Sequence, residues 1–173
     1  MNKFLCDDTL ILRPVEPSDA DFMWEVESDS TQWVQNSLVA PFSKENLHQY
    51  ACCYEADPFQ AEQLRLIITS IAGDYVGIAD LYELSSQHRT SMVGIYILPE
   101  LRGKGLGMKS LEILENYASR ILNLRQLGAK IVDGNDISME LFLKSGYEWS
   151  GTLKEWILSG KSSYSLHLLQ KSL

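Results

Sequence analysis

A chain of 173 residues, 45% apolar and 22% charged, has ordinary globular composition and the length for a full core in one domain spanning 1–173. Its net charge of −8 and pI near 4.8 argue against a nucleic-acid binder, which needs a basic face for phosphates, and permit a cationic partner. No apolar run approaches membrane-spanning length, "MNKFLCDDTL" lacks the apolar core of a signal peptide, and the odd, sparse Cys6, Cys52 and Cys53 point to a reducing cytoplasm.

"TLILR" reads as a first strand, ended by Pro14. Ser18 is placed as an N-cap with Asp21 at the capping-box position, opening a helix that carries Phe22, Met23, Trp24 and Val26. A second helix lies in "PFSKENLHQYACCYEAD", capped by Ser43 and stopped before Pro58. "LRLIITS", "YVGIADLYEL" and "MVGIYIL", joined by short polar turns, form an antiparallel meander. After a glycine-rich stretch, Gly107, Leu111, Leu114, Ala118 and Ile121 share one helical face. "AKIVD" is a short buried strand. Asp136 or Ser138 opens a fourth helix, which Gly146 ends, and "YEWSGTLKEWIL" and "SYSLHLLQ" close the chain as paired strands. The order β-α-α-β-β-β-α-β-α-β-β is that of a mixed α+β sheet. His48, His88 and His167 are scattered and show no metal-ligand spacing, so no metal is expected.

The stretch "PELRGKGLGMKSL" stands between a strand and a helix. Glycines before a helix N-terminus let unpaired N–H groups close around an anion such as a pyrophosphate. A Walker A loop is absent, and Met108 occupies the third glycine position of a dinucleotide fingerprint. A tight turn without a ligand is the bland alternative. "RGKGLG", however, is R-x-x-G-x-G, and with its flanking strand and helix it resembles the acetyl-CoA loop of the GNAT acetyltransferase superfamily. "LILRPVEPSDADFMWEV" is similar to that family's opening strand and helix, "DGNDISMELFLKSGY" to its later asparagine-containing signature, and "GTLKEWILSGKSSYSLHLL" to its C-terminal hairpin. The likeness covers nearly the whole chain and leans toward the branch holding ribosomal-protein and spermidine N-acetyltransferases.

The resemblance implies a largely antiparallel central sheet flanked by helices, with a splayed central strand. It implies acetyl-CoA as cosubstrate, with the pyrophosphate on Arg102, Gly103, Lys104, Gly105, Leu106 and Gly107. Main-chain groups of Ile95, Tyr96 and Ile97 would meet the pantetheine, and Asn135 would contact the coenzyme. The family's usual acid, a tyrosine, is here Phe142, which has no proton to give. A thiol of pKa near 8.5 is a fair leaving group unaided. Tyr147, Tyr96 and Tyr82 are substitute donors, Tyr147 foremost. For the base, Asp80 and Glu83 share a strand, and alternation puts them on opposite faces, so that one reaches the cleft; Glu83 or a water chain is expected.

The implied acceptor is a primary amine on a polyamine-like small molecule or a protein N-terminus. The acidic segments "EVESDS" and "YEAD", in the region between residues 25 and 60 that should shape its pocket, lean toward a polycation. Other readings are an aminoglycoside-type N-acetyltransferase and a catalytically weak acyl-CoA-binding or regulatory module, the latter motivated by Phe142. No nucleic-acid or membrane partner is expected. Trp149 and Trp156 in the last hairpin serve either the core or a homodimer contact.

Overall fold

The computed structural model describes residues 3–28, 42–54 and 57–173. Its elements are β1 (Leu10–Pro14), α1 (Ala20–Glu27), α2 (Lys44–Cys52), a single turn α3 (Pro58–Ala61), β2 (Gln63–Ser70), β3 (Tyr75–Ser85), β4 (Thr90–Ile97), α4 (Leu106–Arg120), β5 (Gln126–Val132), α5 (Asp136–Lys144), β6 (Glu148–Ser159) and β7 (Ser162–Ser172). The expected order is recovered, with α3 added before β2. The seven strands lie as β1-β2-β3-β4-β5-β7-β6, antiparallel throughout except for the parallel β4–β5 pair.

Helices cover both faces. The stripe Leu111, Leu114 and Ala118 of α4 packs on one side with Leu66, Ile68 and Leu81. On the other, Phe22, Met23 and Val26 of α1 and Leu47 and Ala51 of α2 pack with Ile67 and Ile78. Burial on both faces explains why β2 reads as a continuous apolar run instead of an alternation. Ile121, expected on the buried stripe, is 44% exposed, because α4 ends at Arg120 and the chain turns away.

The first cap differs from expectation. Pro17 starts a 3₁₀ turn, and Asp19, not Ser18, accepts the N–H of Glu16 at 2.7 Å. The Asp19 carboxylate is fully buried. It takes both terminal nitrogens of Arg13 at 2.8 and 2.7 Å and the hydroxyl of Tyr75 at 2.9 Å, tying β1, β3 and the start of α1 together. Likewise Asn135, rather than Asp136 or Ser138, caps α5, its Oδ1 accepting the Ser138 N–H at 3.2 Å.

Gly77 marks a close approach of β3 to β4. A Cβ there would collide with the main-chain carbonyl oxygen of Tyr96, which no side-chain rotation can relieve. Gly77→Ala should therefore destabilise the protein by about 1–3 kcal/mol through forced separation of the two strands. Urea denaturation checks this; an unchanged midpoint would show that the strands part at no cost.

Candidate active site

β4 and β5 are paired only over Thr90–Met92 with Gln126–Gly128. Beyond Met92 the two parallel strands diverge, β4 staying on β3 and β5 on β7. Register decides which main-chain groups are left over. Leu98 donates to the carbonyl of Val76 at 2.9 Å, and Arg125 donates to the carbonyl of Arg89 across to β5 at 2.8 Å. Even-numbered residues of β4 are thus spent on β3, and odd-numbered Val93, Ile95 and Ile97 turn their N–H and C=O groups to the parted side. Tyr96 is therefore not available as a main-chain partner for pantetheine: it pairs with Ile78 and offers the cavity its ring. The carbonyl of Ile97 is held by Arg102 Nε at 2.9 Å, and the Arg102 guanidinium lies 5.4 Å from the Tyr96 ring centre.

The glycine loop follows at the end of the parted strand. Gly103 and Gly105 have φ of 75° and 77°, a left-handed conformation that costs side-chain-bearing residues energy. No backbone carbonyl among the described residues accepts from the N–H groups of Gly103 through Met108, and the first such bond is Lys109 to Gly105 at 3.2 Å. These N–H groups at the head of the 15-residue α4 form a cradle with partial positive charge. A coenzyme pyrophosphate fits this donor set. The Lys104 side chain is exposed and does not line the cavity, whereas Arg102 does.

A cavity of ≈ 900 Å³ runs from this loop through the parting of the strands to α1 and α2. Asn135, Ser138, Leu141 and Phe142 form one wall. Phe142 is 4% exposed. Tyr147 lies behind it, off the cavity, with ring centres 4.9 Å apart at 77°. Burial and then Glu115 raise the Tyr147 phenol pKa, so it holds its proton, but the Phe142 ring stands between it and the cavity. This placement counts against Tyr147 as the substitute acid. Tyr82 does line the cavity. Burial, then Glu83 and Asp80, push its phenol up to about 12, so it remains a protonated donor at neutral pH.

Asp80 and Glu83 both reach the cavity, against simple alternation. The β3–β4 register slips between Tyr82 and Ser85, and Glu83 sits at φ 51° in a bulge that returns it to the Asp80 side while Leu84 stays in the core. Glu83 is ion-paired with Lys130 of β5, so it is not an unengaged base. Asp80 is held in a fork by Arg65, at 2.9 Å to each oxygen, and Arg65 Nη1 reaches Glu27 Oε1 at 2.9 Å. Burial opposes the Arg65 charge, but Asp80 and Glu27 outweigh it and raise its pKa above the ordinary guanidinium value. The Tyr54 hydroxyl bonds both the N–H and the carbonyl of Arg65, where β1 no longer covers β2. Arg65 had no signal in the sequence, and Glu27 was marked only as a member of the acidic segment "EVESDS". Of the acidic segments expected to shape the pocket, residues 29–30 and 55–56 lie outside the described residues.

Known proteins share this fold. Among curated proteins, the chain is 23% identical over 154 residues to a spermidine N(1)-acetyltransferase of Escherichia coli (strain K12), covering 87% of this chain and 79% of that one. It is 22% identical over 156 residues to the Vibrio cholerae spermidine N(1)-acetyltransferase, covering 88% and 87%. The solved spermidine N-acetyltransferase from Vibrio cholerae in complex with CoA and spermine matches with a TM-score of 0.86 at 20% identity, over 96% of each chain. A dodecameric structure of spermidine N-acetyltransferase from Vibrio cholerae matches at 0.81 and 20%, over 96% of this chain and 95% of that one. Residues 9–148 match the acetyltransferase (GNAT) domain, most of the chain and all of the loop, parted strands and Phe142 wall, and the protein belongs to the GNAT acetyltransferase family.

Proposed function

We propose that this is a cytoplasmic, single-domain N-acetyltransferase that moves an acetyl group from acetyl-CoA to a primary amine of a polyamine-like small molecule. The parting of β4 from β5 with the glycine cradle at its end carries this reading, since it leaves a row of main-chain groups pointing at one cavity. Acetyl-CoA supplies the activated acetyl group as a thioester. The N–H groups of Gly103, Gly105, Leu106 and Gly107, with Arg102, hold its pyrophosphate. Val93, Ile95 and Ile97 hold the pantetheine through their main chain, and Asn135 bounds that side of the cleft. N–H groups on this edge are also positioned to donate to a carbonyl oxygen as its charge grows.

The amine must shed a proton before attack, because an alkylammonium is mostly charged at neutral pH. Asp80 and Glu83 are both engaged by cations, which favours a water chain over direct carboxylate abstraction. Tyr82 is the assigned hydroxyl donor in place of Phe142 and Tyr147. Cys6, Cys52 and Cys53 are in no disulfide, in keeping with a reducing compartment. No helix among the described residues is long and apolar enough to cross a membrane. Self-association belongs to the same reading: Trp149, Trp156 and Leu158 of the edge strand β6 are 50%, 64% and 76% exposed, so they serve a surface and not the core, and a second copy would cover them.

The test is acetyl-CoA turnover with a panel of spermidine, simple alkylamines and an aminoglycoside; absence of transfer to every amine would return the protein to the binding-module reading. In that assay Phe142→Tyr should raise kcat, since it restores a hydroxyl at a cavity wall. General-acid help is worth about 10²–10⁴-fold, and the gain should be well below that range where Tyr82 already donates. An unchanged kcat in Phe142→Tyr, with a loss in Tyr82→Phe, would assign the proton to Tyr82 alone. Acetyl-CoA affinity should not move in either variant.

A further inference from the structure

The cavity holds a primary amine of the protein's own. Among the described residues, Lys130 and Lys144 are the lysines that line it, and residues 29–41 and 55–56 contain none. Lys144 pairs with Glu140 on α5, and both are more than half exposed. Lys130 stands deeper, with 30% of its side chain exposed. It belongs to β5 beyond the parting, where β5 pairs with β7 and no longer with β4. Leu127, Ala129 and Ile131 face the core under α4, so alternation turns Lys130 to the side of α1 and α2. There its ammonium is bonded to Glu83 of β3. In the sheet β4 lies between β5 and β3, so the pair crosses β4, a span of about 10 Å for two strand spacings. The crossing falls at Gly94, which lies level with Lys130 when the register of the paired stretch is carried forward and which has no side chain to obstruct it.

This is the inner end of the track read for the coenzyme. The glycine cradle follows the C-terminal end of β4, so the open main-chain groups run from it in the order Ile97, Ile95, Val93 toward the branch at Met92. A coenzyme with its pyrophosphate in the cradle and its pantetheine along these groups carries its thioester toward Val93 and Gly94. The Lys130 ammonium crosses at that place, 5.9 Å from the ring centre of Tyr82. We propose that Lys130 is a self-acetylation site, which takes the acetyl group of bound acetyl-CoA when no other amine occupies the cleft. This rests on the reading of the cavity as the acetyl-CoA site. The ammonium first passes one proton to Glu83, the carboxylate bonded to it, and Glu83, whose side chain is 57% exposed, releases it to water. The nitrogen lone pair then attacks the thioester carbonyl. A C–N bond forms, the C–S bond breaks, and the thiolate leaves with the second proton of the nitrogen, giving a neutral amide and free CoA. Glu83 is engaged toward an outside amine, but for Lys130 that same engagement is the route of proton loss. Holding the amine at the thioester replaces a chance encounter with a positioned one, which sets Lys130 apart from the exposed lysines. Acetylation would cancel the charge that holds Glu83 and set an amide where an acceptor amine must approach.

The purified protein should carry one acetyl group, or gain it on incubation with acetyl-CoA and no amine, as read by intact mass. Peptide mapping should place it on Lys130 with a yield at least about tenfold above any other lysine, the advantage of a positioned amine. A large excess of free CoA should suppress the gain, because the thioester must sit in the cleft to react, whereas acetylation of exposed lysines from solution would not respond. Lys130→Arg keeps a cation for Glu83 but removes the primary amine, and it should abolish the modification. Should that variant not fold, mapping and CoA competition in the unaltered protein still decide. Acetyl groups spread over exposed lysines, a gain that CoA does not suppress, or no acetyl group at all overturns the inference. Transfer to spermidine or an alkylamine by a protein whose Lys130 stays unmodified overturns the inference and spares the acetyltransferase reading. Acetylated Lys130 in a protein that transfers to no added amine sustains the inference and removes the reading of a small-molecule acceptor.

Discussion

Gly105→Asp should weaken acetyl-CoA binding at least a hundredfold in a protein that still folds. The backbone of Gly105 has φ 77°, and a Cβ built there meets no atom within 4 Å. The substitution therefore brings left-handed strain of about 1 kcal/mol, which aspartate tolerates better than most residues, but no collision. Its carboxylate would stand among the unpaired N–H groups at the head of α4. It would accept the hydrogen bonds meant for the pyrophosphate and repel its charge. Losing two charge-assisted bonds, each worth about 1.5–3 kcal/mol, is enough for the stated loss. Gly105→Ala carries the strain without the charge and should cost only a few-fold. Titration of all three proteins with acetyl-CoA, with melting curves to confirm folding, separates the terms. Equal affinity in a folded Gly105→Asp protein would remove the pyrophosphate from this loop.

Asp19→Asn should cost about 3 kcal/mol of stability at pH 7, near the lower end for breaking a buried ion pair, because Arg13 keeps 28% of its side chain exposed. The effect should fade in acid, and the sign follows from proton binding. Burial would raise the Asp19 pKa, but the guanidinium of Arg13, the Glu16 N–H and the Tyr75 hydroxyl together hold it below the ordinary carboxyl value. The unfolded chain thus binds this proton more readily than the folded one. Its contribution is fully present above the unfolded carboxyl value near 3.9 and is lost as pH falls through the lower folded value. Urea unfolding of parent and variant at pH 7 and near pH 3 should give a difference that shrinks in acid. The same gap at both pH values would mean that Asp19 acts through shape and not charge.

The local decisions of this fold were legible in the amino-acid order. Periodicity marked the α4 stripe, Ser43 marked the start of α2, and the glycines before α4 announced a left-handed loop. Each depends on residues within a turn or two of one another, so the chain carries them before it folds. Phe142 was readable for the same reason, as a departure inside a short signature. What the sequence could not settle lay in pairings between distant segments. Whether Glu83 faces the cavity depends on a bulge set by the slip of β3 against β4, and a single inserted residue reverses the alternation. Tyr147 and Phe142 are neighbours in the signature, yet only packing put one on the cavity and the other behind it. Which main-chain groups of β4 remain open follows from ladder register, which excluded Tyr96 and left Ile95 and Ile97. The ion-pair network at the cleft joins residues 27, 65 and 80 on three elements, and no local pattern links them. Sequence by itself determined the family frame and the left-handed glycine loop before α4. The end of the cavity under α1 and α2 was decided by tertiary structure, because it is built from cross-strand and helix-to-sheet contacts whose partners are chosen only when the layers close.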